Sequence, residues 1–405
     1  MNSVAIELLA PRYPIAWYPW AVQYFFLIAL SYATLWLAAP ALIFGKKDWL
    51  PTARLALLAC LSATLVAPVA LLADLHQPLR FWHFYAYANT HSWMSVGSVI
   101  LPLYLFSVMG LAWMAWRPAL QANREAPGFL GFVSRWISLG TSPTPKPLMV
   151  VTGLVALLFS TGIMLYTGAE VAIVKARPLW NTYWLPPMFV ATGFITATGL
   201  MLLLNRVTGM KNQPVNSQML KIMLVATLAA AAIAAAWVLG GINDPQGSVA
   251  AAIESIRYSD SWRATAIWGS ITAVILFVGT LYLLVSKAKR PALHSWVWLL
   301  GLVAIHLGWM FRWVVLMDVQ HVARNSAGFH HYGIPAGSSG LLGIVGTFGL
   351  WMAVMLLIDL FVPWREARQG GVATDVSPVI DADTVDTETR AKQDTNAAEG
   401  APSHG

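Results

Sequence analysis

Residues 21–44 read AVQYFFLIALSYATLWLAAPALIF, a run without one charged side chain. As a helix it would reach about 36 Å, enough to cross a hydrocarbon core of ~30 Å. The apolar residues are continuous rather than alternating, which predicts a helix and not a strand of a membrane barrel. Similar runs recur, TAVILFVGTLYLLV at 272–285 among them. They predict spans at approximately 17–44, 54–73, 93–116, 147–166, 184–204, 219–240, 262–286, 293–317 and 338–362. Composition agrees, since 11% of the chain is charged where a soluble domain carries about 25%. The expected fold class is therefore all-α, a polytopic membrane helix bundle of about nine transmembrane helices. The first run is too long for the apolar stretch of a cleavable signal.

Charge orients the bundle. Alternate connections collect Lys46, Lys47 and Arg54, then Arg117, Arg124, Arg135 and Lys146, then Arg206, Lys211 and Lys221, then Lys287, Lys289 and Arg290, and finally Arg365 and Arg368. The other connections hold Arg12, Arg80, Lys175, Arg177, Arg257, Arg263 and Arg324, about half as many. The positive-inside bias makes the richer side cytoplasmic, so the N-terminus is expected in the periplasm and the C-terminus in the cytoplasm. A net charge of +7 then follows the topology. It points to an anionic lipid leaflet as partner and not to nucleic acid. Residues 1–16 read as a periplasmic N-terminal segment and 17–366 as the bundle. Residues 367–405, rich in Asp, Thr, Ala and Glu, cannot bury enough apolar surface to offset ordering entropy and read as a disordered acidic cytoplasmic tail.

An ionisable group at membrane depth is costly and is a functional suspect by default. In WYPWAVQYFF (17–26), Trp20, Gln23 and Tyr24 share one helical face at the outer end of the first span. Gln23 needs a partner there, either another helix or a ligand. In ADLHQPLRFWHFYAYANTHSW (73–93), Asp74, His76, Arg80, His83 and His91 stand together. A carboxylate beside His suits proton exchange near neutral pH, and an Asp–Arg pair closing a loop is the plainer reading. Tyr166 and Glu170 lie one turn apart at the end of the fourth span, where a phenol can donate a hydrogen bond to a carbonyl oxygen. Span eight holds His306 and Arg312 within lipid depth and Asp318 and His321 at its outer end. The aromatics Trp17, Tyr18, Trp20, Trp82, Tyr85, Tyr87, Trp93, Trp180, Tyr183 and Trp184 read mostly as an interfacial belt. His306 raises b-type haem, but no second intramembrane His faces it, and a single cysteine, Cys60, cannot hold an iron–sulfur cluster. Neither haem nor cluster is expected in this chain. No ligand group for a metal is expected either.

Taken together, WYPWAVQYFF, APVALLADLHQPLRFWHFYA with SWMSVG, LYTGAEVAIVKARPLWN, GWMFRWVVLMDVQ and GTFGLWMAV resemble the NrfD-like membrane subunits of polysulfide reductase type, and more narrowly the tetrathionate reductase branch. The resemblance covers Trp17 to about Leu357. It implies a membrane anchor in the bacterial inner membrane that serves anaerobic respiration. Its partners would be a four-cluster iron–sulfur subunit and a molybdopterin catalytic subunit on the periplasmic face. Such a subunit oxidises menaquinol or ubiquinol and leaves the terminal acceptor to another chain. By position, Gln23 and Trp20 fall where polysulfide reductase has the His and Asn near its quinone head, a departure from that pattern. Tyr166 falls on its quinone-facing Tyr, and Asp74 on a membrane Glu assigned to proton handling.

The residues and the resemblance meet at one expected site. Gln23, Trp20, Tyr24, Tyr166 and Arg80 would hold the quinol, while Tyr166, Asp74, His83 and Glu170 would carry the chemistry, with His76 a further acceptor. Alternatives are a subunit of a polysulfide, thiosulfate or other sulfur-compound reductase, a proton-coupled transporter that uses Arg312 and Asp318, or a purely structural anchor.

Overall fold

The computed structural model describes residues 15–89, 91–286, 295–322 and 332–366. The N-terminal segment up to residue 14, His330 and His331, and the expected tail from 367 onward lie outside them.

Nine helices among the described residues are long and apolar enough to cross a membrane. They are α1 (Pro19–Leu42), α2 (Leu50–Asp74), α4 (Trp93–Ala122), α6 (Lys146–Ala172), α7 (Leu185–Val207), α8 (Gln213–Gly241), α10 (Asp260–Ser286), α11 (Val297–Trp313) with its continuation through the short α12 (Val319–His321), and α13 (Leu341–Phe361). Short helices α3 (His83–Ala86), α5 (Phe129–Ile137) and α9 (Ser248–Tyr258) lie in connections. Several spans outrun their expected ends. The third continues to Ala122 and the fourth to Ala172, because Pro118 and the small residues of TGAEVA do not interrupt a helix already nucleated by a long apolar run.

The central helix is α1. Nearly all of its residues are buried, as expected of a helix that is apolar all round. It packs on α2, α6, α7, α11 and α13. By contrast α8, α10 and α13 bury only one narrow stripe each and leave most of their apolar side chains facing outward, as lipid-facing helices do.

Without a hydrophobic drive between helices in lipid, close packing and buried hydrogen bonds hold the bundle. α7 and α11 cross backbone against backbone: a Cβ on Gly301 would stand 2.5 Å from the Gly199 carbonyl oxygen. Midway along α1, Ser31 bonds the Tyr104 hydroxyl of α4 at 2.6 Å and the Thr64 hydroxyl of α2. The Trp351 indole of α13 donates to Ser62 at 3.1 Å. Each of these four hydroxyls finds a protein partner, which is how polar groups are tolerated at this depth. An odd number of crossings puts Ile15 and Glu366 on opposite sides. The side on which α1 begins is termed the N-terminal face below.

Candidate functional site

The first turns of α1 stand at the N-terminal face. Gln23 is fully buried there, and neither its amide nitrogen nor its amide oxygen has a hydrogen-bond partner among the described residues. Leaving both ends of a buried amide unmet costs about 1–3 kcal/mol for each, so the position calls for an explanation. Next to it, Tyr24 is buried, meets the Phe25 ring edge-on at 5.1 Å, and lies within electrostatic reach of Tyr166 and Glu170.

Tyr166 and Glu170 come from the last turns of α6, four residues apart on one face, and their side chains lie within electrostatic reach of each other. The Tyr166 ring is clamped by α4. Trp93 stacks on it with centroids 6.4 Å apart. Gly97, one turn further along α4, supplies the space for the hydroxyl end, since a Cβ at that position would lie 2.1 Å from the Tyr166 hydroxyl oxygen. Gly168, meanwhile, lets α6 meet the start of α7, for its Cβ would strike the Pro186 backbone at 2.3 Å. Two phenols and one carboxyl are thus gathered within the last turns before the N-terminal face, with the unmet Gln23 amide next along α1 to Tyr24, Glu170 partly open, and Lys175 and Ala176 exposed just beyond it. Such a group can grip the oxygens of a ring-shaped ligand and take a proton from one of them.

The other expected residues fall in separate places. Trp20 turns toward α13, where a Cβ on Gly343 would meet its indole at 3.0 Å. Asp74 ends α2, and its Oδ1 accepts the Tyr18 backbone N–H at 2.8 Å. A carboxylate at the start of α1 satisfies an otherwise orphaned donor and complements the helix dipole. Asp74 and Arg80 are not joined, because the ion pairs among the described residues are Arg263–Asp260 and Arg365–Asp359. His76 rests edge-on against the Tyr18 ring at 5.2 Å. Arg80 and His83 line an open cleft of about 460 Å³ with Tyr87, Ser92 and Ser95, outside the Trp93 cover of Tyr166. A second cleft of about 350 Å³ runs beside His76 and Phe81. His91 is exposed.

Span eight carries features that composition did not reveal. Five residues, Val314–Asp318, form a π-helical turn, an arrangement frequent at functional positions. Trp180, expected in the belt, is instead 3% exposed. Its indole donates to the Val315 carbonyl at 2.6 Å. The Arg177 guanidinium donates to the Val319 and Val322 carbonyls at 2.9 and 3.0 Å. Gln320 exchanges hydrogen bonds with both backbone groups of Trp17, at 3.0 and 2.9 Å. The ARPLWN stretch therefore caps carbonyls that the widened turn sets free, and α1 is tied to them. Trp180 leaves the belt because its N–H has a partner inside.

Arg312 is fully buried at the junction of α1, α7 and α11. It donates to the carbonyl oxygens of Gly308 at 2.8 Å, Phe25 at 3.2 Å and Phe189 at 3.3 Å, and to the Thr192 hydroxyl at 3.2 Å. The rings of Phe189 and Phe311 lie 5.5 and 5.8 Å from its carbon. Asp318 is buried with Oδ2 unpartnered among the described residues. His306 is exposed on α11 and accepts a hydrogen bond from the Trp268 indole at 2.9 Å.

Fold and site together define a multi-pass helical membrane protein with a cluster of buried hydrogen-bonding side chains near one face. The family model described as polysulphide reductase, NrfD, matches residues 7–323, and the chain belongs to that family. It is 33% identical over 355 residues to the C subunit of tetrathionate reductase from Salmonella typhimurium, covering 87% of this chain and 94% of that one. It is 22% identical to the C subunit of selenate reductase from Mesobacillus selenatarsenatis, covering 87% and 88%. Against the corresponding polysulfide reductase polypeptide of Wolinella succinogenes the match is 29% over 139 residues, 33% of this chain and 41% of that one. The chain is thus a multi-pass protein of the bacterial inner membrane.

Proposed function

We propose that this chain is the membrane subunit of a periplasm-facing molybdopterin oxidoreductase of tetrathionate reductase type, and that it oxidises quinol in the pocket of Gln23, Tyr24, Tyr166 and Glu170. The observation that carries the reading is Gln23. A fully buried amide with both ends unmet, next along α1 to the Tyr24 that neighbours Tyr166 and Glu170, suits a ligand with a hydrogen-bonding oxygen at each side of a flat ring. The relatives' names supply the setting, since tetrathionate, selenate and polysulfide reductases each include a polypeptide similar to this one.

Oxidation of the quinol breaks two O–H bonds and releases two electrons and two protons. Gln23 and Tyr24 hold one ring oxygen, Tyr166 the other, and the Tyr24 and Trp93 rings shape the slot. Glu170, one turn from Tyr166 on α6, takes the proton of the oxygen that Tyr166 holds and hands it toward the open loop at Lys175. The second proton, from the oxygen that Gln23 and Tyr24 hold, follows through the Tyr24 hydroxyl to the emptied Glu170, which lies within its electrostatic reach. Electrons leave to the iron–sulfur subunit, docked on the N-terminal face against the exposed aromatics Trp82, Tyr85, Tyr87 and Tyr183. Asp74 fixes the start of α1 through Tyr18 and so sets where Gln23 points. His83, in the open cleft it shares with Arg80, receives protons at the water side. The transporter alternative loses its principal residue, because the Arg312 donors are taken up by oxygens of the chain itself.

The test is quinol-dependent reduction of the iron–sulfur partner in the purified complex. Tyr166→Phe and Glu170→Gln should assemble normally and slow that reduction at least about tenfold, the order of a lost general base or orienting bond. Parent rates in both assembled variants would overturn the assignment.

A further inference from the structure

The connection between α4 and α6, on the face opposite the quinol pocket, holds a helix built inside out for water. Along α5 the small residues Gly131, Ser134 and Ser138 are buried, and a Cβ on Gly131 would stand 1.9 Å from the Ala126 carbonyl oxygen. The large apolar side chains point outward instead: Phe129 and Phe132 are 58% exposed, Trp136 69% and Leu139 70%. The helix is also firmly fixed. Arg117 of α4 donates to the carbonyls of Ser138, Leu139 and Ser142 at 2.8, 3.2 and 2.6 Å and so caps its C-terminal end. The Trp113 indole donates to the Ile137 carbonyl at 2.8 Å.

Depth says what covers this face. α4 has 30 residues, about 45 Å of helix, so each end projects about 7 Å beyond a hydrocarbon core of ~30 Å. Trp113 lies about 14 Å before the end of α4, which puts Ile137 roughly 6 Å below the hydrocarbon boundary. At its other end, Phe129 meets Phe361, the last residue of α13, with ring centroids 4.8 Å apart. The aromatic stripe therefore continues the lipid-facing surface of the spans at the level of headgroups and upper acyl chains, the depth at which an in-plane amphipathic helix rests. Arg124, Arg135 and Lys146 stand around it, Arg135 and Lys146 exposed, and none of them enters an ion pair among the described residues.

We propose that α5 is an in-plane anchor seated in the cytoplasmic leaflet, and that Arg124, Arg135 and Lys146 bind the phosphates of anionic phospholipid beside its aromatic stripe. Arg117 acts as the clip that holds the helix at this depth. The proposal is independent of the quinol site, which lies at the other face.

Its test uses the full-length protein carrying Cys60→Ser, in nanodiscs of phosphatidylcholine with or without phosphatidylglycerol. Nitroxide labels are placed at Phe132→Cys and Trp136→Cys, with Glu125→Cys as the exposed reference. Labels at 132 and 136 should be reached by oxygen and shielded from a water-soluble nickel chelate, while the label at 125 shows the reverse. Equal nickel access at all three positions would overturn the seating. So would shielding of 132 and 136 from both reagents, the mark of a protein covering this face. By native mass spectrometry, Arg124→Gln, Arg135→Gln and Lys146→Gln should each lower the preference for phosphatidylglycerol over phosphatidylcholine, by up to about fivefold per charge. An unchanged preference in all three would overturn the headgroup assignment.

Discussion

Gln23→Leu separates a ligand hook from a packing residue by the sign of its effect. In the ligand-free chain both amide atoms are buried and unmet, each at a cost of about 1–3 kcal/mol. Leucine fills nearly the same space and asks for no partner. The ligand-free variant should therefore be as stable as the parent or more so, by about 1 kcal/mol or more once small packing losses are set against the removed penalty. Quinol binding should move the other way. A net hydrogen bond contributes about 0.5–1.5 kcal/mol, so the loss of the amide should weaken binding of a quinol analogue by about threefold to tenfold. Thermal unfolding of the purified protein, with and without the analogue, reads both effects in one titration. A variant that melts lower without ligand and binds the analogue as the parent does would refute the reasoning, because it would mean that Gln23 has a partner within the protein.

Three further substitutions follow from the geometry. Gly97→Ala places a methyl 2.1 Å from the Tyr166 hydroxyl; it should cost about 1–3 kcal/mol as an overpacked site and depress quinol oxidation in complexes that still assemble, read by thermal unfolding and turnover together. Asp74→Asn keeps an acceptor for the Tyr18 N–H but removes the charge at the start of α1, for a loss of about 0.3–1 kcal/mol. Asp74→Ala removes both and should lose about 1–2 kcal/mol, and equal melting of the two variants would argue against the capping role. Trp180→Phe deletes the indole bond to Val315; it should cost about 1 kcal/mol and speed hydrogen exchange at 314–318 while leaving α6 unchanged.

The spans were legible because nothing but a helix satisfies its own backbone in lipid, so an apolar run such as 21–44 leaves little choice. The Tyr166–Glu170 pair was legible for a similar reason, since residues four apart on a helix are neighbours. What sequence could not show is which way a side chain faces across helices. Trp180 looked like its neighbours Tyr183 and Trp184, yet only Trp180 turns inward to a freed carbonyl. Arg312 would be a substrate residue only in the transporter alternative, whereas its donors meet the oxygens of α1, α7 and α11. The π-helical turn has no apolar signature of its own, and α5 forms no continuous apolar run, because its outward apolar residues are broken by small ones that pack inward. Gln23 was suspect from its position, but that it has no partner is a property of the fold around it.

The most direct measurement is where a quinone sits. A photoreactive quinone added to the complex in nanodiscs, followed by peptide mapping, should label α1 around Gln23 and Tyr24 and α6 around Tyr166 and Glu170, with competition by unlabelled quinol. Labelling confined to other helices, such as α10 and α11 at Trp268 and His306, with none on α1 or α6, would contradict the account.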